Sequence, residues 1–348
     1  MVNRFKEIEN LLKEYEDPSK VFENKKEFDK FLAKLPNDSW RSLLTFMKGG
    51  SFVSRLKGSL EDVGPISHTQ LTHTAQVIYE NKPDFVSVQE IESLEVIDEF
   101  YSKFIRKKYN QLPYHMLIEG NDPRGIDLGL LLDNNSFPGV NTITHRYDPD
   151  PSDAHRPLFS RDCLEVDLAL SKGEKLTVYI NHLKSKIGGG EQKRLNQATR
   201  IREIVSKRFG NDLMGGHFVI LGDFNCEHDA PELDPLLKDK KLFNVFENLD
   251  KGERWSYLHA VIDKNNIDKV KTAEVSQFDY ILLSPTIMNG NPDIKPDVER
   301  RGVVYYPAIT EKLKKNDEEV ARVYDNEAIR FPGVERYGSE AFDHSAYL

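Results

Sequence analysis

The chain has 348 residues, of which 39% are hydrophobic and 30% charged, so it has enough apolar mass for a sizeable core. Its net charge of −9 excludes a global basic field for nucleic acid, although a divalent metal and a local basic patch can replace one. The two cysteines, Cys163 and Cys226, are too few for a disulfide scaffold.

The sequence gives no sign of a membrane segment or a leader. No apolar run approaches the roughly 20 residues of a membrane span. The first 18 residues are charged throughout and lack the apolar core of a signal peptide. We therefore expect a cytoplasmic protein with no membrane partner, and we expect it to be a monomer.

Residues 1–40 read as a helical N-terminal extension. Apolar residues recur at helical spacing over residues 5–15 and again over residues 28–32, with charged residues on the other faces. The extension either packs on the main body, which we favour, or docks a partner. The body itself is expected over residues 41–348.

The body alternates strands with helices. The pattern predicts helices over residues 67–81, 97–105 and 195–205, and strands over residues 43–47, 84–90, 125–132, 164–170, 176–182, 217–223 and 278–283. Strict alternation over 164–170 predicts a strand with one face in water. Many strands with interspersed helices favour an α+β fold, a four-layer αββα sandwich of two packed mixed β-sheets flanked by helices.

The most informative stretch is the run over residues 217–221, which ends in Gly222-Asp223-Phe224-Asn225. The run reads as a buried strand, after which Gly222 allows a sharp turn. In an extended chain Asp223 and Asn225 project to the same side. Their oxygens then serve as ligands for a hard cation, or as anchors for water and phosphate. The alternative is a turn in which both side chains bond their own backbone.

Other strands end in, or are flanked by, similar groups: Glu90, His182, Asp279, Asp343 and His344. Such a set suits metal-assisted phosphoryl chemistry. Carboxylates bind Mg²⁺, which offsets charge on a phosphate oxygen. A histidine oriented by an acid accepts a proton from water, and Asn, Lys and Arg donors hold the remaining phosphate oxygens.

The chain resembles the endonuclease/exonuclease/phosphatase superfamily, which has the deoxyribonuclease I-like fold, and within it the bacterial nuclease-like members. The resemblance covers roughly residues 41–348 and rests on motifs in the family's order: Val88-Gln89-Glu90, Gly125-Ile126-Asp127, Phe159-Ser160-Arg161-Asp162, Asn181-His182-Leu183-Lys184-Ser185-Lys186, Leu221-Gly222-Asp223-Phe224-Asn225, Phe278-Asp279-Tyr280-Ile281-Leu282 and Asp343-His344-Ser345. Each motif alone is weak, whereas the ordered set is specific.

The resemblance implies a metal site and a group that handles water. Glu90 and Asp343 would bind Mg²⁺, with Mn²⁺ as an alternative cofactor. Asp223 and Asn225 would orient the attacking water and the phosphate.

The resemblance also implies roles for two histidines. His344, paired with Asp279, would act as a base or a phosphate contact. His182 would lie on the phosphate or leaving-group side, with Asp127 as its orienting partner.

Arg161 and Lys184 would contact the phosphate. The function implied is Mg²⁺-dependent hydrolysis of phosphodiester bonds, with nucleic acid as the substrate. A phosphatase and a sphingomyelinase-like lipid phosphodiesterase on the same site are the alternatives among enzymes.

One residue departs from the family's pattern. The best-matching first strand, residues 43–47, places Met47 where the family usually has Asn, and a thioether is a poor ligand for Mg²⁺. Either this strand is misaligned or the site lacks one group, which leaves a catalytically weakened binding module as a further alternative.

Three other features are expected to be structural. The helix with Lys193, Arg194 and Arg208 reads as a solvated face, with a nucleic-acid groove as the alternative. His145 and His155 read as solvated loop histidines.

Overall fold

The computed structural model describes residues 25–34, 68–122, 124–170, 173–186, 188–263, 266–326, 331, 334 and 346–347. The predicted first strand with Met47, and the site residues Asp343 and His344, lie outside these ranges. Backbone contacts divide the chain into two units, Met1–Ser67 with Asp122–Ile126, and His68–Asn121 with Asp127–Leu348.

The first unit contributes helix α1 (Lys25–Lys34), as the spacing over residues 28–32 predicts. In its second segment, Arg124 forms a 2.9 Å ion pair with Asp122. The domain boundary at residue 40 stays a prediction.

The second unit contains all other described elements. Its helices are α2 (His68–Asn81), α3 (Leu94–Phe100), α4 (Glu191–Phe209), α5 (Asp234–Leu237), α6 (Pro285–Met288), α7 (Pro307–Leu313) and α8 (Glu318–Asn326). Its strands are β1 (Phe85–Ile91), β2 (Tyr114–Ile118), β3 (Asp127–Leu132), β4 (Gly139–Thr144), β5 (Pro149–Asp150), β6 (Asp153–Pro157), β7 (Cys163–Ala169), β8 (Lys175–His182), β9 (His217–Asp223), β10 (Phe243–Asn244), β11 (Tyr257–Asp263), β12 (Asn266–Ser276), β13 (Asp279–Leu283), β14 (Val298–Glu299) and β15 (Ala346–Tyr347). None of the helices in the described ranges is both long and apolar enough to cross a membrane.

The strands form two main sheets. One has the order β1-β3-β2 and the other the order β10-β13-β9-β8-β7-β4. In the six-stranded sheet β8 and β9 are parallel, and every other neighbouring pair is antiparallel. The parallel pair requires a crossover connection, which α4 provides.

The two sheets pack face to face. Apolar side chains of β3 such as Leu128 and Leu130 share a fully buried core with Val166 of β7 and Val178 of β8. Alternation along each strand sends the next side chains to the opposite faces, where helices cover them. The four-layer αββα sandwich is therefore confirmed.

Helices cover both outer faces. On the three-stranded sheet, Leu131 packs against Ile78 of α2 and Ile97 of α3. On the six-stranded sheet, Phe218 packs against Val205 of α4. Because α2, α3 and α4 each bury an apolar stripe on a sheet face, a site can form where the strands end.

The prediction that β7 has a face in water is wrong. Glu165 and Asp167 are only 4% and 7% exposed, because α4 covers them and Arg208 binds both, with Nη2 at 2.6 and 2.7 Å from the Asp167 oxygens. Burial raises the pKa of each carboxyl, but hydrogen bonds outweigh burial, so both pKa values lie below the ordinary range.

The predictions that the basic helix and His145 face solvent are also wrong. Arg194 is 1% exposed and Arg208 is paired, so this face of α4 binds the body of the protein rather than solvent. His145 Nε2 lies 3.0 Å from Glu165 Oε2, whereas His155 is exposed, as predicted.

Candidate active site

The site lies where β8 and β9 end, at one end of the six-stranded sheet, which we call the His182 edge. Because these two strands are parallel and in register, His182 is opposite Asp223. His182 Nε2 lies 3.5 Å from Asp223 Oδ2, and the two side chains are 3% and 10% exposed. The strand ends thus bring together an imidazole and a carboxylate that are far apart in sequence.

Asn225 lies against Asp223 through a tight turn. Its backbone has φ +52, and its N–H donates to Asp223 Oδ1 at 2.6 Å. Its Nδ2 donates to Asp223 Oδ2 at 2.9 Å and to the carbonyl of Leu183 at 3.2 Å. The two side chains are together, as predicted, but they meet through the local turn that was the alternative and not through extended chain. The amide fixes the orientation of the carboxylate.

Glu90 reaches the same place from the other sheet. It is the penultimate residue of β1 and has φ +58, at an irregularity in the pairing with β3 between Val88 and Ile91. A positive φ is unfavourable for glutamate and is found most often where function maintains it. The Glu90 side chain is 62% exposed, and its Oε1 lies 3.8 Å from His182 Nε2.

Gln89 also links the two sheets at this point. Its Oε1 accepts a hydrogen bond from the backbone N–H of Asp223 at 3.3 Å. Near the end of β1, the Gln89 side chain thus contacts β9, whereas the Glu90 side chain is exposed to solvent.

Asp279 begins β13 and is paired in register with Asp223 across the sheet. Ser256, which is fully buried, accepts hydrogen bonds at its Oγ from the N–H groups of Phe278 (2.9 Å) and Asp279 (3.1 Å). Sequence reasoning missed Ser256, because one serine before a strand has no distinguishing pattern.

The phosphate-contact and orienting candidates have the following surroundings. Arg161 is 2% exposed and donates through Nη1 to the carbonyl of Leu183 at 3.3 Å. Lys184 donates through Nζ to the carbonyl of Ser185 at 3.1 Å. Arg161 therefore contacts the segment that follows His182, and Lys184 is part of that segment.

Asp127, the orienting candidate, is buried at the start of β3. Its Oδ1 accepts the N–H of Gly120 at 2.7 Å, which ties the start of the β2–β3 connection to the first residue of β3. Its role toward His182 stays a prediction.

Three flat side chains stack in a row that starts beside Asp279. Phe278 and Tyr257 have ring centroids 5.2 Å apart at 20°, and Tyr257 and His259 have centroids 6.3 Å apart at 28°. Lys186 Nζ lies 4.9 Å above the Phe278 ring. This aromatic row, Phe278-Tyr257-His259, joins residues from β11 and from the residue before β13, so no local sequence pattern indicated it.

The donors at the His182 edge suit a hard divalent cation in their chemistry. Glu90 and Asp223 supply carboxylate oxygens, which Mg²⁺ and Mn²⁺ prefer to nitrogen or sulfur. Within the described residues, no group of three or more His, Cys, Asp or Glu side chains is arranged to hold a metal ion. The second expected ligand, Asp343, lies outside those residues.

Comparisons with known proteins give a clear family match. A sequence model of the Endonuclease/Exonuclease/phosphatase family matches residues 67–324. A search of curated proteins gives no significant match.

Three solved structures are similar to this chain at low sequence identity. The human Nocturnin catalytic domain with bound sulfate is 14% identical, with a TM-score of 0.48 over 68% of this chain and 79% of that one. D. rerio TDP2 complexed with a single-stranded DNA product is 20% identical, with a TM-score of 0.46 over 68% and 84% of the two chains. Mannosyl-6-phosphatase from Bacteroides thetaiotaomicron is 14% identical, with a TM-score of 0.44 over 66% and 78%.

Proposed function

Because the chain belongs to the Endonuclease/Exonuclease/phosphatase family, whose members are hydrolases of phosphate esters, we propose that it hydrolyses phosphodiester bonds in nucleic acid with Mg²⁺ as cofactor. Mn²⁺ is the alternative metal. The observation that carries the choice of nucleic acid is the aromatic row that starts beside Asp279.

The aromatic row suits bases. Every nucleobase has a π-face, and proteins that bind single strands use aromatic side chains as platforms for successive bases. The rings of Phe278 and Tyr257 are 20° from parallel, and Lys186 supplies a positive charge at the same place. A small phosphomonoester is too short to contact all three rings of this row. A phospholipid needs an apolar surface rather than a line of flat rings.

The residues at the His182 edge divide the chemical work. Glu90 would hold the metal together with Asp343, and the bound metal would offset negative charge on the phosphate. Asp223, fixed by two hydrogen bonds from Asn225, would orient the attacking water and accept its proton. His182, 3.5 Å from Asp223, would donate a hydrogen bond to the phosphate or the leaving oxygen.

The cations complete the site. Arg161 donates to the carbonyl of Leu183, the residue after His182, and from there its positive charge would offset the charge of a bound phosphate. Lys184, which follows Leu183 directly, would do the same. His344, paired with Asp279, would supply a further proton-transfer group.

A panel of substrates tests the proposal. The chain is assayed on single-stranded DNA and RNA, duplex DNA, p-nitrophenyl phosphate and sphingomyelin, each with Mg²⁺, with Mn²⁺ and with EDTA. We expect metal-dependent cleavage of a polynucleotide and little turnover of the other two substrates. Tyr257→Ala, which removes the middle ring of the row and so breaks it, should raise KM for the polynucleotide about tenfold, an effect as large as that of one base–aromatic stack.

The other outcomes select other functions. Preferred turnover of p-nitrophenyl phosphate would indicate a phosphatase, and preferred turnover of sphingomyelin a lipid phosphodiesterase. Binding of nucleic acid without any turnover would indicate the weakened binding module that Met47 suggests.

A further inference from the structure

We propose that Arg146 and Tyr147 form a second nucleic-acid contact, on the opposite side of the His182–Asp223 pair from the aromatic row. The protein would then bind a nucleic-acid strand on both sides of the phosphodiester bond that it cleaves. This inference rests on the proposed function.

The sheet order places the two contacts on opposite sides. Along the His182 edge, β13 is next to β9, whereas β7 and then β4 lie beyond β8. Thr144, the last residue of β4, is opposite Leu164 of β7, and Cys163 is opposite Asn181 of β8. Arg146 and Tyr147 therefore follow the strand that ends at the same edge as His182.

The separation fits a short length of nucleic acid. Neighbouring strands are about 4.8 Å apart, so the end of β4 is about 10 Å from the end of β8. That distance corresponds to about three nucleotides at the rise of about 3.4 Å per nucleotide along one strand of a duplex. A strand bound at His182 would thus reach Tyr147 within a few nucleotides.

The Tyr147 ring is presented rigidly to solvent. It is 76% exposed, and the Arg146 guanidinium lies 5.0 Å from its centroid. Arg146 is itself fixed, because its Nη1 donates to the carbonyl of Glu119 and its own carbonyl accepts from Asn121 Nδ2 at 2.7 Å. The same Asn121 amide donates to the carbonyl of Phe159 at 2.9 Å.

These bonds join Tyr147 to the part of the chain that bears Arg161. Phe159 is two residues before Arg161, so the phosphate-contact candidate and the exposed ring are held by one hydrogen-bonded unit. A single exposed aromatic residue is common on protein surfaces. A ring that is stacked on a fixed arginine beside the site is preorganised for base stacking, with the arginine available to a phosphate.

The first two acids after Tyr147, Asp148 and Asp150, are paired with cations. Asp148, which follows Tyr147, accepts a hydrogen bond from Arg200 Nε at 2.8 Å. Asp150 lies 3.7 Å from Lys193 Nζ. Both carboxylates therefore have cationic partners from α4.

The test uses oligonucleotides with one cleavable phosphodiester among phosphorothioate linkages. One is short, one is extended only on the 5′ side, and one is extended only on the 3′ side. Wild-type kcat/KM should rise with either extension. Tyr147→Ala should reduce the increase in kcat/KM from one extension about tenfold, and Tyr257→Ala should reduce the increase in kcat/KM from the other extension. Tyr147→Phe, which keeps the ring, should retain the gain.

Tyr114→Ala is the matched control. Tyr114 is 39% exposed on β2 and is opposite Leu132 in register, at the end of its sheet away from Glu90, so this variant should match wild type on all three substrates. The inference is overturned if Tyr147→Ala keeps the full gain from both extensions, or if it and Tyr257→Ala affect the same extension. Failure of wild type to cleave any polynucleotide would instead overturn the proposed function, and this inference with it.

Discussion

A side chain on Gly222 would overlap the carbonyl oxygen of Asn181. Gly222 has φ +129 and is opposite Asn181 in the parallel pairing of β8 and β9. Only glycine combines this backbone conformation with such a close approach between neighbouring strands. The next residue pair along the two strands is His182 and Asp223, so the spacing of that pair depends on the absence of a Cβ at 222.

Gly222→Ala should therefore impair both folding and chemistry. A non-glycine residue at this φ costs about 1–2 kcal/mol, and the overlap with Asn181 must in addition move backbone. Gly173→Ala is the matched control, because Gly173 has φ +80 but a Cβ there meets nothing within 4 Å. Urea unfolding and kcat measure both effects. Equal loss of stability in the two variants, with activity retained in Gly222→Ala, would contradict the close-approach explanation.

Glu90→Gln should abolish nearly all metal-dependent activity while the fold survives. The side chain is exposed, so neutralising it removes a metal ligand without unpacking a core. We expect normal thermal unfolding and a large loss of rate at limiting Mg²⁺. Glu174→Gln, an exposed acid just before β8 at the opposite end of the sheet, should behave as wild type. Wild-type turnover by folded Glu90→Gln would remove Glu90 from the metal site.

His182 and Asp223 should act as one unit. Each of His182→Ala and Asp223→Asn should lower kcat at least about a hundredfold, which is within the range for acid–base groups. Because the two side chains lie 3.5 Å apart and serve one step, the double variant should lose much less than the product of the two losses. Strictly multiplicative losses would show that they act in separate steps.

Arg208→Met should destabilise the fold at neutral pH by about 1.5–3 kcal/mol, because it removes the guanidinium that binds both Glu165 and Asp167. The loss is limited because His145 stays beside Glu165 and Lys175 beside Asp167. The pKa values of both carboxyls are lowered in the folded chain. The stability that Arg208 contributes is therefore present above their unfolded pKa values, about 4.3 and 3.9. It is lost as the pH falls through the lower folded values.

Urea unfolding of wild type and Arg208→Met from pH 7 to pH 3 tests the direction of this pH dependence. The difference in unfolding free energy should shrink toward acid pH. Lys207→Met removes the same charge from an exposed position on α4 and should show a small difference at every pH. A difference for Arg208→Met that grows toward acid pH would exclude the proposed pairing.

Local patterns predicted β1, β3, β7, β8, β9 and β13 but missed β2, β4, β11 and β12, and they did not indicate what covers a strand. The alternation in residues 164–170 correctly indicates a strand, yet the same pattern arises whether the polar face meets water or a helix. Here Arg208, about forty residues later, neutralises that face, and α4 could not be placed over β7 from spacing alone. For the same reason the arginines of α4 read as solvated.

The site residues at strand ends could be predicted from the sequence. The residues that contact them from distant parts of the chain could not. Asp223 and Asn225 are two residues apart, so their association needed only local geometry, although the turn and not extended chain produces it. Ser256 and the aromatic row depend on β11 lying beside the residues that precede β13. No short-range pattern in the sequence encodes that contact.

We propose that the residues at the His182 edge hydrolyse nucleic acid in preference to simpler phosphate esters. The most direct measurement is kcat/KM of wild type and Asp223→Asn at saturating Mg²⁺, on one single-stranded oligonucleotide and on p-nitrophenyl phosphate. Wild type should prefer the oligonucleotide by at least about tenfold, the contribution of one base–aromatic stack, and Asp223→Asn should lose activity on it. Equal or better turnover of p-nitrophenyl phosphate, or full activity of folded Asp223→Asn, would contradict it.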